Sequence, residues 1–379
     1  LRSDHSWLPV PDSAEFAGIR ERPLRVIVDG AILNRPHTGT ARWVQGLLHA
    51  LDLQPDIYAL LARGPAHISR GGRLRRILNL VRERWWYEAG INAIARREKA
   101  DVLLMPANLS ARRGPVPQVV TILDVNFLTQ PGAYEGAFVR YATWAYRRAL
   151  RDAAYVTTIS EFSRSEIARH LGVDQSRLQV IYPGLDHVPP ALPGPSPHSK
   201  PYALYFGATE RHKNLSVLLD AWRDRSPAGL DLAIVGQPGR DHAMVLDKAA
   251  ACGGRVVVRG RVADDDLERW YRHASVFVFP SRVEGFGYPP LEAMQRGVPV
   301  VSSTAGSLPE VLADGALYFD PDDPLALIIQ VETLVADESI RSGLVNRGFQ
   351  VAGRFSWAKT IEAMSSVLRR VDTDNRKAG

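Results

Sequence analysis

The chain has 379 residues, more than one ordinary α/β domain holds and enough for two separate cores. Its 45% hydrophobic and 23% charged residues suit a globular protein, the lone Cys252 excludes a disulfide framework and points to a cytosolic setting, and the absence of any run of about 18 apolar residues excludes an ordinary membrane-spanning helix. The net charge of +6 is uneven: residues 1–185 carry 25 Lys and Arg against 17 Asp and Glu, and 63–113 alone carry 12 against 4, so the first half is expected to meet something anionic.

Residues 1–22 are polar, broken by proline, and read as an extension without the apolar core of a signal peptide. The run 24–29 (LRVIVD) ends at Gly30 and predicts a first parallel strand. Helical spacing follows over 40–51. Strands are predicted at 102–105, 118–123 and 155–159, and a long helix over 134–151. Ser160 opens a further helix that runs to His170, and 180–182 closes this half. Strands alternating with helices imply a parallel sheet covered on both faces. The stretch 186–200 (DHVPPALPGPSPHSK) holds five prolines and a glycine and reads as a linker. A second series predicts strands at 202–206, 231–235, 255–259, 275–279 and 298–302. The final helix, 357–371, carries Trp357, Ile361, Met364 and Leu368 on one face. It either packs back across the domain junction or caps the second domain. The expected domains are therefore 23–185 and 201–355, joined by 186–200 and followed by 356–379. Ligands of such sheets sit beyond the carboxyl ends of the strands, so two facing sheets make a deep cleft.

The segment 279–292 (FPSRVEGFGYPPLE) runs from an apolar strand into a loop with Gly285 and Gly287 and then into a helix start that tolerates Pro289 and Pro290. The amides and dipole of that helix start suit a diphosphate, and the glycines allow close backbone approach. Glu284 lies in the loop and Glu292 about one turn into the helix, both suited to accept from sugar or ribose hydroxyls. In 205–214 (YFGATERHKN) a strand ends at Gly207, Asn214 stands where a helix needs an N-cap, and two cations sit in the loop between, where they could neutralise a leaving diphosphate.

The 279–292 segment resembles the Glu-x-seven-Glu signature of retaining glycosyltransferase family four, whose GT-B fold is α/β, two Rossmann-like doubly wound parallel-sheet domains facing a central cleft. The resemblance implies that Glu284 contacts the donor sugar, that Glu292 holds the ribose hydroxyls, and that the backbone at Gly285, Phe286, Gly287 and Tyr288 meets sugar and phosphates. The 205–214 loop is similar to the family's Arg-Lys-Asn element, which implies that Lys213, and Arg211 with His212 in the usual arginine position, face the diphosphate. His37, Thr38, Gly39, Thr40 and Arg42 resemble the family's glycine loop, and a side chain at Gly39 would block close approach of the donor. Residues 121–131 (TILDVNFLTQP) are similar to a Thr-Ile-His-Asp element in which Leu123 replaces the histidine and Asp124 is kept, either to orient an acceptor hydroxyl or as a local loop-start cap. Ser160 to Ser163, the strand end at Gly260 to Val262 whose backbone would hold the nucleobase, and Ser307 to Val311 complete a resemblance that covers about 24–371.

That resemblance implies transfer of a sugar from a nucleotide-diphosphate sugar, with GDP-mannose favoured, to a glycan or lipid-linked anionic acceptor in cell-surface polysaccharide assembly. No Asp-x-Asp metal cluster marks the donor site, since Asp264, Asp265 and Asp266 read as a helix start; metal independence and no cofactor are expected. The alternative is a catalytically silent nucleotide-sugar-binding subunit, favoured by Leu123. A patch with Arg73, Arg75, Arg76, Arg82, Arg84, Trp85 and Trp86 fits peripheral contact with the inner face of an anionic membrane, or the tryptophans belong to the core. No nucleic-acid module is recognisable, and none is expected as a partner.

Overall fold

The computed structural model describes residues 22–34, 38–66, 73–189, 194–227 and 229–378, with 73–77 and 378 by backbone alone. Residues 1–21, His37, positions 190–193 of the linker and the side chains of Arg73, Arg75 and Arg76 lie outside the described residues.

Two six-stranded, all-parallel sheets form the frame. The first contains β1 (Leu24–Asp29), β2 (Ile57–Ala62), β3 (Val102–Met105), β4 (Gln118–Thr121), β5 (Tyr155–Thr158) and β6 (Leu178–Val180), in the order β2-β1-β3-β4-β5-β6. The second contains β7 (Tyr202–Phe206), β8 (Asp231–Val235), β9 (Val256–Arg259), β10 (Val276–Phe279), β11 (Val300–Ser303) and β12 (Ala316–Phe319), in the order β12-β11-β10-β7-β8-β9. Both are doubly wound α/β sheets, and the architecture is GT-B. The central strands are short apolar runs because helices cover both faces: β3, β4, β8 and β10 are buried at every residue.

Three differences from the sequence expectation have local causes. β2 (IYALLA) lies at a sheet edge and is only half-buried between its end residues; its Ala-Leu-Leu core reads as helix as readily as strand. β12, the other unpredicted strand, is also an edge strand. β6 pairs two residues earlier than expected, Leu178 with Val156, because a one-turn helix at Gln175–Arg177 delivers the chain early.

In each sheet the winding reverses direction once. The reversal falls between β1 and β3 in the first and between β7 and β10 in the second. Loops leaving two neighbouring strands there turn to opposite faces, and a crevice opens between them.

Two chain crossings join the lobes. The chain leaves β6 through Tyr182 and the 186–200 stretch, and it returns at Ser356, which bridges Leu185. The helix Trp357–Ala378 then lies on the first lobe, burying Ile361, Met364, Val367, Leu368 and Val371. Its Trp357 ring stacks on Trp43 at 5.9 Å, over Gly46, where a Cβ would stand 1.9 Å from the indole. Arg369 adds an ion pair to Asp56 at 2.8 Å. Among the described residues no helix is long and apolar enough to cross a membrane.

Glu310, on the helix Leu308–Leu312 of the second lobe, caps a helix of the first. Its two carboxylate oxygens accept the Glu161 and Phe162 amides at 2.7 and 2.8 Å, and one accepts the Tyr182 hydroxyl at 2.7 Å. A carboxylate on the free amides of the helix Glu161–Leu171 is favoured by hydrogen bonding and by the helix dipole. Glu310→Ala is expected to cost about 2 kcal/mol, read as a lower urea midpoint; an unchanged midpoint would show that the lobes are not latched this way in solution.

Candidate active site between the lobes

The second lobe's crevice is built by two loops. The loop after β7 carries Gly207, Arg211, His212 and Lys213; the loop after β10 carries Glu284, Gly285, Phe286 and Gly287. Asn214 binds them together. Its amide group donates to the Pro280 carbonyl at 3.1 Å and the Pro321 carbonyl at 2.7 Å. The residue is left-handed, φ +56°, and stands at the N-cap position without capping through its side chain. Its expected capping role is thus replaced by a tie between strand ends, for which an asparagine tolerates the left-handed backbone.

At the centre, Lys213 Nζ donates to Glu284 Oε1 at 2.6 Å, both side chains largely buried, and the ammonium lies 5.3 Å from the Phe279 ring centre. His212, beside them, has its pKa pushed down by burial and then by the Lys213 charge. Arg211 is not brought into this cluster: its side chain is 61% exposed and faces Asp241 at 3.4 Å. The one-turn helix Arg211–Lys213 explains the split, since consecutive residues there point in different directions.

Gly287, φ +94°, ends the second loop and begins the helix Tyr288–Gln295. A Cβ on it would lie in the left-handed region and 2.8 Å from Leu308. Phe286 is buried, edge-on to Tyr288 and Phe355, so only its backbone can face the crevice. Tyr288 is half-buried beneath the Arg42 guanidinium, 4.5 Å from its ring centre. Glu292 is buried as well, and its Oε2 accepts the Tyr271 hydroxyl at 2.8 Å. Gly207 continues β7 through its amide to the Val235 carbonyl at 3.0 Å. Val262, past the end of β9, is half-buried against the core.

The first lobe closes over these loops. Ser160 Oγ donates to the Gly285 carbonyl at 2.7 Å while it accepts the Ser163 amide at 3.0 Å. Asp124 packs on the other side of the same glycine: a Cβ at Gly285 would stand 3.1 Å from the Asp124 Cβ. Burial raises the Asp124 carboxyl above its ordinary range, against the Asn126 amide bond that lowers it, and the Glu284 charge adds to the rise. Tyr134, whose phenol burial pushes up to about 12, senses Asp124, Glu210 and Glu284. Leu123 is buried in the core, its amide on Asn108 Oδ1 at 2.7 Å, so the side chain at that position offers the crevice no polar group. Gly39 starts the helix Gly39–Asp52 with Thr40 behind it, and a Cβ there would meet nothing of the protein within 4 Å.

The sequence placed Arg42 in the glycine-loop segment without a role for its side chain, and it did not single out Tyr271. Arg42 reaches across the lobes to both Asp186 and Glu292. Burial opposes its charge, yet Glu292 and Asp186 hold its pKa above the ordinary arginine value. The one available signal was an arginine in the first turn of a helix, where the dipole disfavours a cation.

A second cavity, about 260 Å³, lies in the first lobe at its own reversal between β1 and β3. Trp86, Tyr87, Phe138, Tyr141 and Tyr146 line it, with Arg82 at its rim. Its wall is anchored on buried Asp29, which accepts Trp86 Nε1 at 3.0 Å and the Tyr87 hydroxyl at 3.2 Å. The π-turn Trp86–Gly90 divides the tryptophans: Trp86 is buried and Trp85 is 59% exposed.

Family models match both halves of the chain, "Glycosyltransferase Family 4" over residues 39–188 and "Glycosyl transferases group 1" over 200–337. The chain is 35% identical to O-antigen chain mannosyltransferase B of Escherichia coli, over 63% of this chain and 66% of that one. It is 28% identical to O-antigen chain mannosyltransferase RfbU of Salmonella typhimurium, over 54% and 57%. With D-inositol 3-phosphate glycosyltransferase of Xylanimonas cellulosilytica it shares 31% identity over 68% and 67%. The chain thus spans less than two thirds of the length of the two O-antigen enzymes. Among solved structures, sucrose-phosphate synthase from Thermosynechococcus elongatus superimposes with a TM-score of 0.72 at 19% identity, over 93% of this chain and 100% of that one. WaaG, a glycosyltransferase involved in lipopolysaccharide biosynthesis, gives 0.68 at 13%, over 91% and 99%. These two likenesses are of fold. The matches to each lobe, and the 31% identity that runs through two thirds of a known glycosyltransferase, show that the chain belongs to glycosyltransferase family four, the glycosyl transferases group 1.

Proposed function

We propose that this protein transfers a sugar, with retention at the anomeric carbon, from a nucleotide-diphosphate sugar to a glycan or lipid-linked acceptor of cell-surface polysaccharide assembly. One observation carries the reading: the buried Lys213–Glu284 pair stands beside the glycine-bounded helix start at the second sheet's reversal, with Asp124 of the first lobe packed against it. The pyrophosphate would lie between Lys213 and the amides at the start of the helix Tyr288–Gln295, where fixed positive charge favours the leaving diphosphate. Glu284 would hold the sugar, and Glu292 the ribose. In the transfer the bond from the anomeric carbon to the diphosphate oxygen breaks. The acceptor oxygen bonds the same face, and its proton passes to the diphosphate. In this reading the fixed positive charge of Lys213 and of the helix start takes the part a metal ion would play.

The aromatic cavity of the first lobe is the acceptor site in this reading. Its rings suit the apolar faces of sugars, and Tyr146, buried within influence of Asp124, joins it to the transfer point. The mannosyltransferase relatives favour mannose, and the donor taken in this reading is GDP-mannose. Purified protein with GDP-mannose and a lipid-linked glycan is expected to form product in the presence of a chelator, with Glu284→Gln and Lys213→Met each reducing kcat by about 100-fold or more. Donor binding without turnover would instead support the silent-subunit reading that buried Leu123 favours.

Asp124 makes a separate prediction. Its folded carboxyl titrates above its unfolded value near 3.8, so its contribution to stability is full below that value and is lost as the pH rises through the folded one. Asp124→Asn is therefore expected to melt above the parent protein at neutral pH, to lose this advantage near pH 4, and to transfer sugar more slowly. A neutral-pH melt below that of the parent would contradict the assignment.

Peripheral contact with an anionic membrane rests on the exposed face of the helix Arg73–Trp85 and its neighbour Gly136–Asp152. Leu80, Val81, Trp85, Tyr141 and Trp144 are exposed there beside Arg82 and Arg84. Trp85→Ser with Arg84→Ser is expected to weaken sedimentation with phosphatidylglycerol vesicles by about tenfold, given about 1 kcal/mol for each basic residue. Equal binding of parent and variant would place the membrane contact elsewhere.

A further inference from the structure

Arg42 stands in an unfavourable place for a cation. It lies in the first turn of the helix Gly39–Asp52, a turn without an acidic residue, so the helix itself supplies only positive potential. What offsets this lies outside the helix. The Nε and Nη2 edge of the guanidinium meets Asp186 Oδ2, each at 2.9 Å, and Nη1 meets Glu292 Oε1. Asp186 belongs to the crossing between the lobes, and its other oxygen accepts Trp357 Nε1 at 2.9 Å. Glu292 belongs to the second lobe. One side chain of the first lobe therefore links the crossing to the carboxylate assigned to the donor ribose.

Glu292 is held from two sides. Tyr271, from the second lobe, donates to Oε2 at 2.8 Å, and its ring is fixed by Arg296, 4.9 Å above the ring centre. That half of the grip exists whether the lobes are together or apart. The Arg42 half exists only when they are together. Each carboxylate oxygen has two lone pairs, so one donor on each leaves capacity for ribose hydroxyls. Arginine suits the position because its planar fork can engage two carboxylates at once, which an ammonium does less well.

We propose that Arg42 is a positioning residue that completes the orientation of Glu292 only when the lobes close, so that recognition of the ribose is coupled to closure of the cleft. The proposal rests on the assignment of Glu292 to the ribose. It concerns the nucleotide half of the donor and is independent of which sugar is carried.

Calorimetry on the full chain tests it, with GDP, 2′-deoxy-GDP and 3′-deoxy-GDP as probes, or the uridine series if UDP binds more tightly. Glu292→Gln is expected to flatten the preference for the ribonucleotide. Arg42→Met is expected to weaken the ribonucleotide by about tenfold and to leave the 3′-deoxy or 2′-deoxy form almost unchanged. Arg42→Lys should fall between the parent and Arg42→Met, and it substitutes for Arg42→Met if that variant melts early. If Glu292→Gln flattens the preference but neither Arg42 variant changes the ratio of ribo to deoxy affinity, Arg42 is a strut between lobes and the proposal is overturned. If Glu292→Gln itself keeps the parent ratio, the ribose assignment fails and takes the proposal with it.

Discussion

The site between the lobes depends on how they meet at Gly285. Its carbonyl accepts the Ser160 hydroxyl from the first lobe, and Asp124 fills the space a side chain would need. A Cβ there would stand 3.1 Å from the Asp124 Cβ, so even an alanine would ask the first lobe to give by a few tenths of an ångström at the point where Asp124 approaches Glu284. Ser160 is in turn locked as the N-cap of its helix. One hydroxyl thus begins a helix and spans the cleft, so the first lobe's secondary structure and the meeting of the lobes share an atom.

Charge is arranged on the same principle. The carboxylates facing the cleft are each engaged from another element: Glu284 by Lys213, Glu292 by Arg42 and Tyr271, and Glu310 by helix amides and Tyr182. Burying a carboxylate without such a partner is costly: Asp124 accepts only the Asn126 backbone amide at close range, at 3.0 Å, and burial displaces its titration upward. Contacts that hold the lobes together lie on both sides of the crevice. Glu310 fastens the crossing side through the Glu161 and Phe162 amides and Tyr182, and Arg240 reaches the Ala133 carbonyl at 2.9 Å on another.

Much of this is legible in the sequence. Apolar runs bounded by glycine and proline located the central strands of both sheets because strands buried on both faces carry little else. The 279–292 loop announced itself through glycines and prolines, whose backbone preferences hold in any tertiary setting. Edge strands β2 and β12 were not legible, since half-buried runs lose the continuous pattern. Arg211 and Lys213 look equivalent as neighbouring cations, and the one-turn helix sends one outward and the other into the crevice. Trp85 and Trp86 were likewise indistinguishable until the π-turn divided them between surface and core.

By itself, the sequence determined that the chain winds two parallel sheets, where the glycine-bearing loop after β10 begins, and which family it belongs to. These are properties of short segments, governed by local backbone preference and periodic burial. Only the tertiary structure decided which charges meet: Arg42 with Glu292 lies 250 positions apart along the chain, and Ser160 with Gly285 lies 125 apart. No local rule links residues at such separations, because their distance is fixed by how the two lobes pack, and that packing is the sum of many weak contacts spread over the whole interface.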